Sequence, residues 1–103
     1  MRVAGIDWDA GNWPKCGKHG VSQGEIDHVL RHMTFRIPDA NPAETRFRTA
    51  GRAQDGRPVF VVYTHRVRAG GTYLRPISAR YMHGKEIERY EQVEQAMAHP
   101  ADR

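Results

Sequence analysis

Arg57-Pro58-Val59-Phe60-Val61-Val62-Tyr63-Thr64-His65 is the stretch whose reading decides the fold. Five consecutive apolar residues, three of them valine and two aromatic, are too few for a buried helix. They match a central strand covered on both faces. The run is bounded by turn signals: Asp55-Gly56 before it and Gly70-Gly71 after it. On the far side of the first turn, residues 45–52 alternate. Thr45, Phe47 and Thr49 face one way, and Arg46, Arg48, Ala50 and Arg52 the other. Beyond the second turn, residues 72–78 read as the last strand. Pro76 has no ladder donor and predicts an edge or an irregularity there. Three strands joined by short turns make an antiparallel meander.

Further out, residues 34–37 predict a short strand stopped by Pro38, with Asp39-Ala40-Asn41-Pro42 as a loop, and residues 3–8 predict a first strand. Ser22 is a helix N-cap with Glu25 three residues on, a capping box; Val21 and Ile26 form the hydrophobic staple. Ile26, Val29, Leu30 and Met33 then follow one helical stripe. Residues 11–18 predict a weaker helix closing at Gly20, although Gly11, Pro14 and Gly17 are poor helix formers. Residues 84–97 predict the C-terminal helix, with Ile87, Tyr90, Val93 and Met97 as its apolar stripe and acids on its other faces. The expected order is β-α-α-β-β-β-β-α: an α+β fold with two N-terminal helices and a C-terminal helix around an antiparallel sheet. Residues 1–98 are expected to form a single domain and residues 99–103 a frayed tail.

A chain of 103 residues with one cysteine, Cys16, forms no internal disulfide and no cysteine-based zinc site. A mean hydropathy of -0.74 and 27% charged residues exclude a membrane-spanning helix. The absence of an apolar stretch before Asp7 predicts a cytoplasmic protein without a leader. The net charge of +4 is unevenly placed. Residues 44–85 hold nine bases and two acids, net +7, while residues 86–103 hold two bases and five acids, net -3. Eight of those nine bases are arginines, whose planar fork suits phosphate. A solvated sheet surface is the plainer explanation of the same charges.

The chemistry-bearing residues narrow the choice. His28 and His32 have helical ligand spacing but lack the glutamate of a His-Glu-x-x-His motif, and are read as solvent-facing. Asp7 and Asp9 share a strand face and are read as caps or ion-pair partners rather than a cation site. Cys16 beside Lys15 and Lys18 would have a lowered pKa if they were close, but no cysteine-enzyme signature accompanies it. Metal-free RNA cleavage is better supplied. The 2′-hydroxyl is the nucleophile; the enzyme adds a base, an acid for the 5′-oxygen and fixed cations for the phosphorane. Arg75, Arg80, Tyr81, His83, Lys85 and Glu86 concentrate these roles, and the Lys18-His19-Gly20 corner offers another base. Tyr63, Tyr73 and Tyr81 are candidates for stacking a splayed base.

These residues resemble a known family. Trp8-Asp9 with Asn12, Lys18-His19-Gly20-Val21-Ser22 and the helix from Glu25 are similar to the N-terminal half of the BrnT family of type II toxins. The resemblance continues through Arg46-Phe47, Gly51-Arg52, the apolar strand, and Ile77-Ser78-Ala79-Arg80-Tyr81-Met82-His83 with Lys85-Glu86 and Tyr90; it covers residues 3–91. It implies a RelE-like fold and a metal-independent endoribonuclease that halts translation. It also implies a cognate antitoxin, typically a ribbon-helix-helix DNA-binding protein, through which alone operator DNA is bound. No cofactor and no metal are implied. The motif positions are His19, Arg46, Arg52, Arg80, Tyr81, His83, Glu86 and Tyr90. The expected acid/base pool is His19, His83, Lys85 and Glu86, with Arg80 on phosphate and Tyr81 on the scissile nucleotide. Arg46, Arg48, Arg52, Arg75 and Tyr73 are expected to bind RNA. The alternative is a non-catalytic basic module that holds RNA or an acidic protein partner.

Overall fold

The computed structural model describes residues 3–40 and 44–98. The apolar run lies in β4 (Pro58–Arg68), inside a five-stranded sheet of order β1-β5-β4-β3-β2. The others are β1 (Gly5–Ile6), β2 (Ile37–Asp39), β3 (Arg46–Arg52) and β5 (Gly71–Tyr81). Val59, Val61 and Tyr63 are completely buried, whereas Phe60 and Val62 on the opposite face are half-buried. The run is continuous because both faces are covered, but they are covered unequally.

The better-covered face carries α1 (Gln23–Arg31). Its capping box forms both bonds: Glu25 N donates to Ser22 Oγ at 3.1 Å, and Ser22 N donates to Glu25 Oε1 at 2.8 Å. Val21 and Ile26 are buried as the staple requires, and Val29 and Leu30 complete the stripe. Met33 lies just past the helix and packs against the same core. A Cβ on Gly51 would come within 3.2 Å of Val29 Cγ1, so glycine there lets the helix settle on β3.

Several expectations are corrected. The helix expected over residues 11–18 is a turn followed by one 3-10 turn, Lys15–Gly17, so the fold has two α-helices and not three. Gly11, Pro14 and Gly17 cost too much helix propensity over so short a segment. Asn12 organises it instead, donating through Nδ2 to the carbonyls of Asp7 and Pro76 while its Oδ1 accepts from Asp9 N. The sheet is mixed rather than antiparallel, because β1 runs parallel to β5. β1 is two residues long, since the Asp7 carbonyl turns to Asn12. The strand expected over residues 34–37 starts later and contains Pro38; this is tolerated because β2 is the outermost strand.

β5 runs three residues further than expected and takes Ile77-Ser78-Ala79-Arg80-Tyr81 into the sheet. The irregularity predicted at Pro76 is present: Val62 pairs with Ser78 and Tyr63 with Pro76, which leaves Ile77 as the extra residue of a bulge. The turn at Asp55-Gly56 forms with Gly56 at φ +91°. The loop expected over residues 39–42 lies partly, and the tail 99–103 wholly, outside the described residues. α2 (Gly84–Ala98) forms as expected, yet none of its residues is buried; Val93 and Met97 are 40% and 44% exposed. No helix among the described residues is long and apolar enough to cross a membrane.

Candidate functional site

Strand register sorts the basic residues. Ala50, Phe60 and Arg80 lie in one cross-strand row, Arg48, Val62 and Ser78 in the next, and Arg66 opposes Tyr73. Arg46, Arg48, Arg52, Arg66, Tyr73, Arg75 and Arg80 therefore share the face turned away from α1. The sheet brings together every residue expected to bind RNA and adds Arg66.

These arginines are paired. Arg46 and Arg66 both reach Glu44, at 3.1 and 3.6 Å, and Arg48 reaches Asp39 at 3.3 Å. Arg75 holds Asp7 and Asp9 at 3.0 Å each. Arg52 grips Glu94 through Nε and Nη2 at 2.9 and 2.8 Å, with Glu91 at 3.7 Å. Most of these carboxylates come from outside the basic block of sequence. Asp7 and Asp9 thus serve as ion-pair partners, and Arg75 pulls the Asp9 carboxyl below its ordinary value.

The tightest arrangement lies at the end of β5. Arg80 donates through Nη1 and Nη2 to the two oxygens of Glu86 at 2.9 and 2.8 Å. Glu86 Oε1 also accepts from His83 N at 2.8 Å, the backbone half of a capping box for α2. Arg80 above all, then the His83 amide, pulls the Glu86 carboxyl from 4.5 to about 2. The Arg80 guanidinium also stands 4.8 Å from the centre of the Phe60 ring. Between this clamp, α2 and β3 opens a groove of ≈ 400 Å³. Phe60, Met82, Tyr90, Ala50 and Val93 give it an apolar lining, and Arg48, Lys85 and Arg89 border it.

Tyr81 points to the opposite face. Its hydroxyl donates to Glu25 Oε1 at 2.7 Å, and Arg57 lies 3.4 Å from its ring centre. The Glu25 carboxylate is the main reason the phenol is pushed up. The Gly20 carbonyl lies 3.5 Å from the same hydroxyl, which places exposed His19 on this side as well. The candidates are therefore divided by the sheet. Arg80, Lys85 and Glu86 flank the groove, Tyr81 and His19 lie by the start of α1, and exposed His83 sits at the junction.

Tyr63, expected to stack a base, is fully buried and offers no face to one; its hydroxyl lies 3.3 Å from Met33 Sδ. Tyr73 is half-buried and packs over Gly5. Cys16 is buried, and burial pushes its thiol up despite Lys15. The rings of His28 and His32 pack 4.2 Å apart on α1, with His32 exposed. Among the described residues, no three His, Cys, Asp or Glu side chains are grouped for a metal ion. Phe60, Arg66 and Arg89 were missed as site residues. The signal for Arg89 was its i, i+4 spacing from Lys85 on the last helix.

A family model described as ribonuclease toxin, BrnT, of type II toxin-antitoxin system matches residues 8–86. That segment runs from Trp8 to the clamp residue Glu86. No curated protein matches the chain.

Proposed function

We propose that this chain, which belongs to the BrnT family of ribonuclease toxins of type II toxin-antitoxin systems, is a metal-independent endoribonuclease that inhibits translation in the cytoplasm. Residues 1–98 act as a single RelE-like domain. A cognate antitoxin of the ribbon-helix-helix type neutralises it and alone contacts operator DNA. The observation that carries the enzymatic reading is the Arg80–Glu86 clamp on a face shared by six other basic or aromatic candidates.

The RNA backbone crosses the arginine face, contacting Arg46, Arg48, Arg52, Arg75 and Tyr73. The ion pairs of Arg46, Arg48 and Arg52 are partly exposed and weak, so phosphate competes for them with little loss of stability; the Arg75–Asp7 pair is largely buried and yields less readily. At the scissile position the 2′-oxygen attacks phosphorus and the 5′-oxygen leaves, giving a 2′,3′-cyclic phosphate and a 5′-hydroxyl. Arg80 stabilises the charge that builds on the phosphorane oxygens. Glu86, ionised far below neutrality, is too weak a base to take the proton; it aims Arg80. The proton donor and acceptor come from His83 and Lys85 beside the clamp, with His19 and Tyr81 serving a strand that bends round the end of β5.

The test is a defined RNA incubated with purified protein in excess chelator. Cleavage that is lost in His83→Ala and Arg80→Ala supports the reading. Salt-sensitive binding without cleavage, with antitoxin rigorously absent, favours the non-catalytic module instead.

A further inference from the structure

The geometry points to the groove beneath α2 as a subsite for one nucleotide of a single-stranded nucleic acid, taking its base against Phe60 and Tyr90 and its phosphate on Lys85, Arg89 and Arg48. This rests on the reading of the chain as an RNA-acting protein and names where that protein would read a base. The volume, ≈ 400 Å³, lies in the range of small-molecule sites, about 300 to 1,000 Å³. Its lining is apolar and includes two aromatic rings, the usual platform for an unstacked base. The ionic groups are arranged asymmetrically. Glu86 is the carboxylate in the lining, and Arg80 occupies both of its oxygens. Among the described residues, Lys85 and Arg89 have no carboxylate within ion-pair distance. An apolar slot bordered by two uncompensated cations, Lys85 and Arg89, with Arg48 half-exposed in its pair with Asp39, is complementary to a base carrying a phosphate.

Two further observations agree. α2 buries no side chain of its own, so occupying the groove displaces nothing packed. The groove also shares Glu86 with the clamp, so a base held there lies next to the nucleotide whose phosphate Arg80 receives. The slot would then set which base borders the cut, while the clamp would set the chemistry.

The test titrates the intact protein with each of the four nucleoside monophosphates, with ribose 5-phosphate, and with an alternating leucine-glutamate peptide. Backbone amide shifts are followed by NMR. At least one nucleotide is expected to bind about tenfold tighter than ribose 5-phosphate, the gain from stacking one base. Its shifts should centre on Ala50, Met82 and Val93. Val93→Glu, at an exposed helix position, is expected to weaken nucleotide binding about tenfold by adding a like charge to the slot. Ala50→Leu should weaken the nucleotide but not ribose 5-phosphate. Equal binding of nucleotides and ribose 5-phosphate, or shifts centred elsewhere, would overturn the proposal. So would tighter binding of the peptide, which would make the groove a protein-docking site. RNA cleavage keeps the two readings separate. Cleavage at unchanged positions and rates in Val93→Glu removes the subsite alone. Nucleotide binding with no RNA cleavage removes the enzyme and leaves the subsite standing.

Discussion

The two helices lie against opposite faces of one sheet and are attached by different physics. α1 sinks Ile26, Val29 and Leu30 into the core, fixes its start with a two-bond capping box, and closes on β3 where Gly51 has no side chain. α2 sinks nothing; ion pairs tether it at both ends, Arg80 with Glu86 at the start and Arg52 with Glu94 further along. Apolar burial is strong and indifferent to charged ligands. Exposed ion pairs are weak and exchange with them. The α1 face therefore holds the fold, and the α2 face holds the cations, the groove and the clamp.

The contrast breaks first in the core. Ile26→Ala is expected to cost about 3 kcal/mol in urea unfolding, since it leaves a cavity at a fully buried site. Val93→Ala on α2 is expected to stay within about 0.5 kcal/mol. A Val93→Ala cost approaching that of Ile26→Ala would mean that α2 is packed as firmly as α1.

Next is the cap. Ser22→Ala removes the acceptor for Glu25 N and should lower stability by about 1 kcal/mol by the same assay. The corresponding change on the other face, Arg52→Ala, breaks an ion pair whose side chains are 37% and 32% exposed. It should cost less than about 1 kcal/mol, while amide exchange in the second half of α2 quickens and that of α1 does not change.

The smallest effect is the response to acid. Glu86 is held at about 2 in the folded chain against an ordinary value of 4.5, so its pairing is complete above 4.5 and fades as pH falls towards 2. Amide exchange at the start of α2 should rise across that window before the amides of β4 begin to open. Simultaneous opening of both would contradict the division between the faces.

The same division explains what the sequence disclosed. α1 was legible because its signals are local: Ser22, Glu25, Val21 and Ile26 lie within six residues. β4 was legible because covering both faces demands an unbroken apolar run. The alternation of Arg46, Arg48 and Arg52 correctly placed them together. The ion-pair partners were not legible, because Asp7 and Asp9 meet Arg75, and Glu94 meets Arg52, across long stretches of chain. The split between Tyr81 and Arg80 could be drawn only after β5 proved to continue through both, since adjacent strand residues face opposite ways. The missing helix near Gly11 depended on Asn12 finding carbonyls in two other segments.

The most direct measurement is single-turnover cleavage of a defined RNA in chelator by wild type and Arg80→Ala, with the unfolding midpoint of each recorded alongside. Cleavage is predicted to fall about 100-fold, the usual loss when one fixed donor to a developing charge is removed, while the midpoint scarcely moves. Cleavage that persists unchanged in Arg80→Ala, or that falls only as far as the folded fraction falls, would contradict the assignment of chemistry to the clamp.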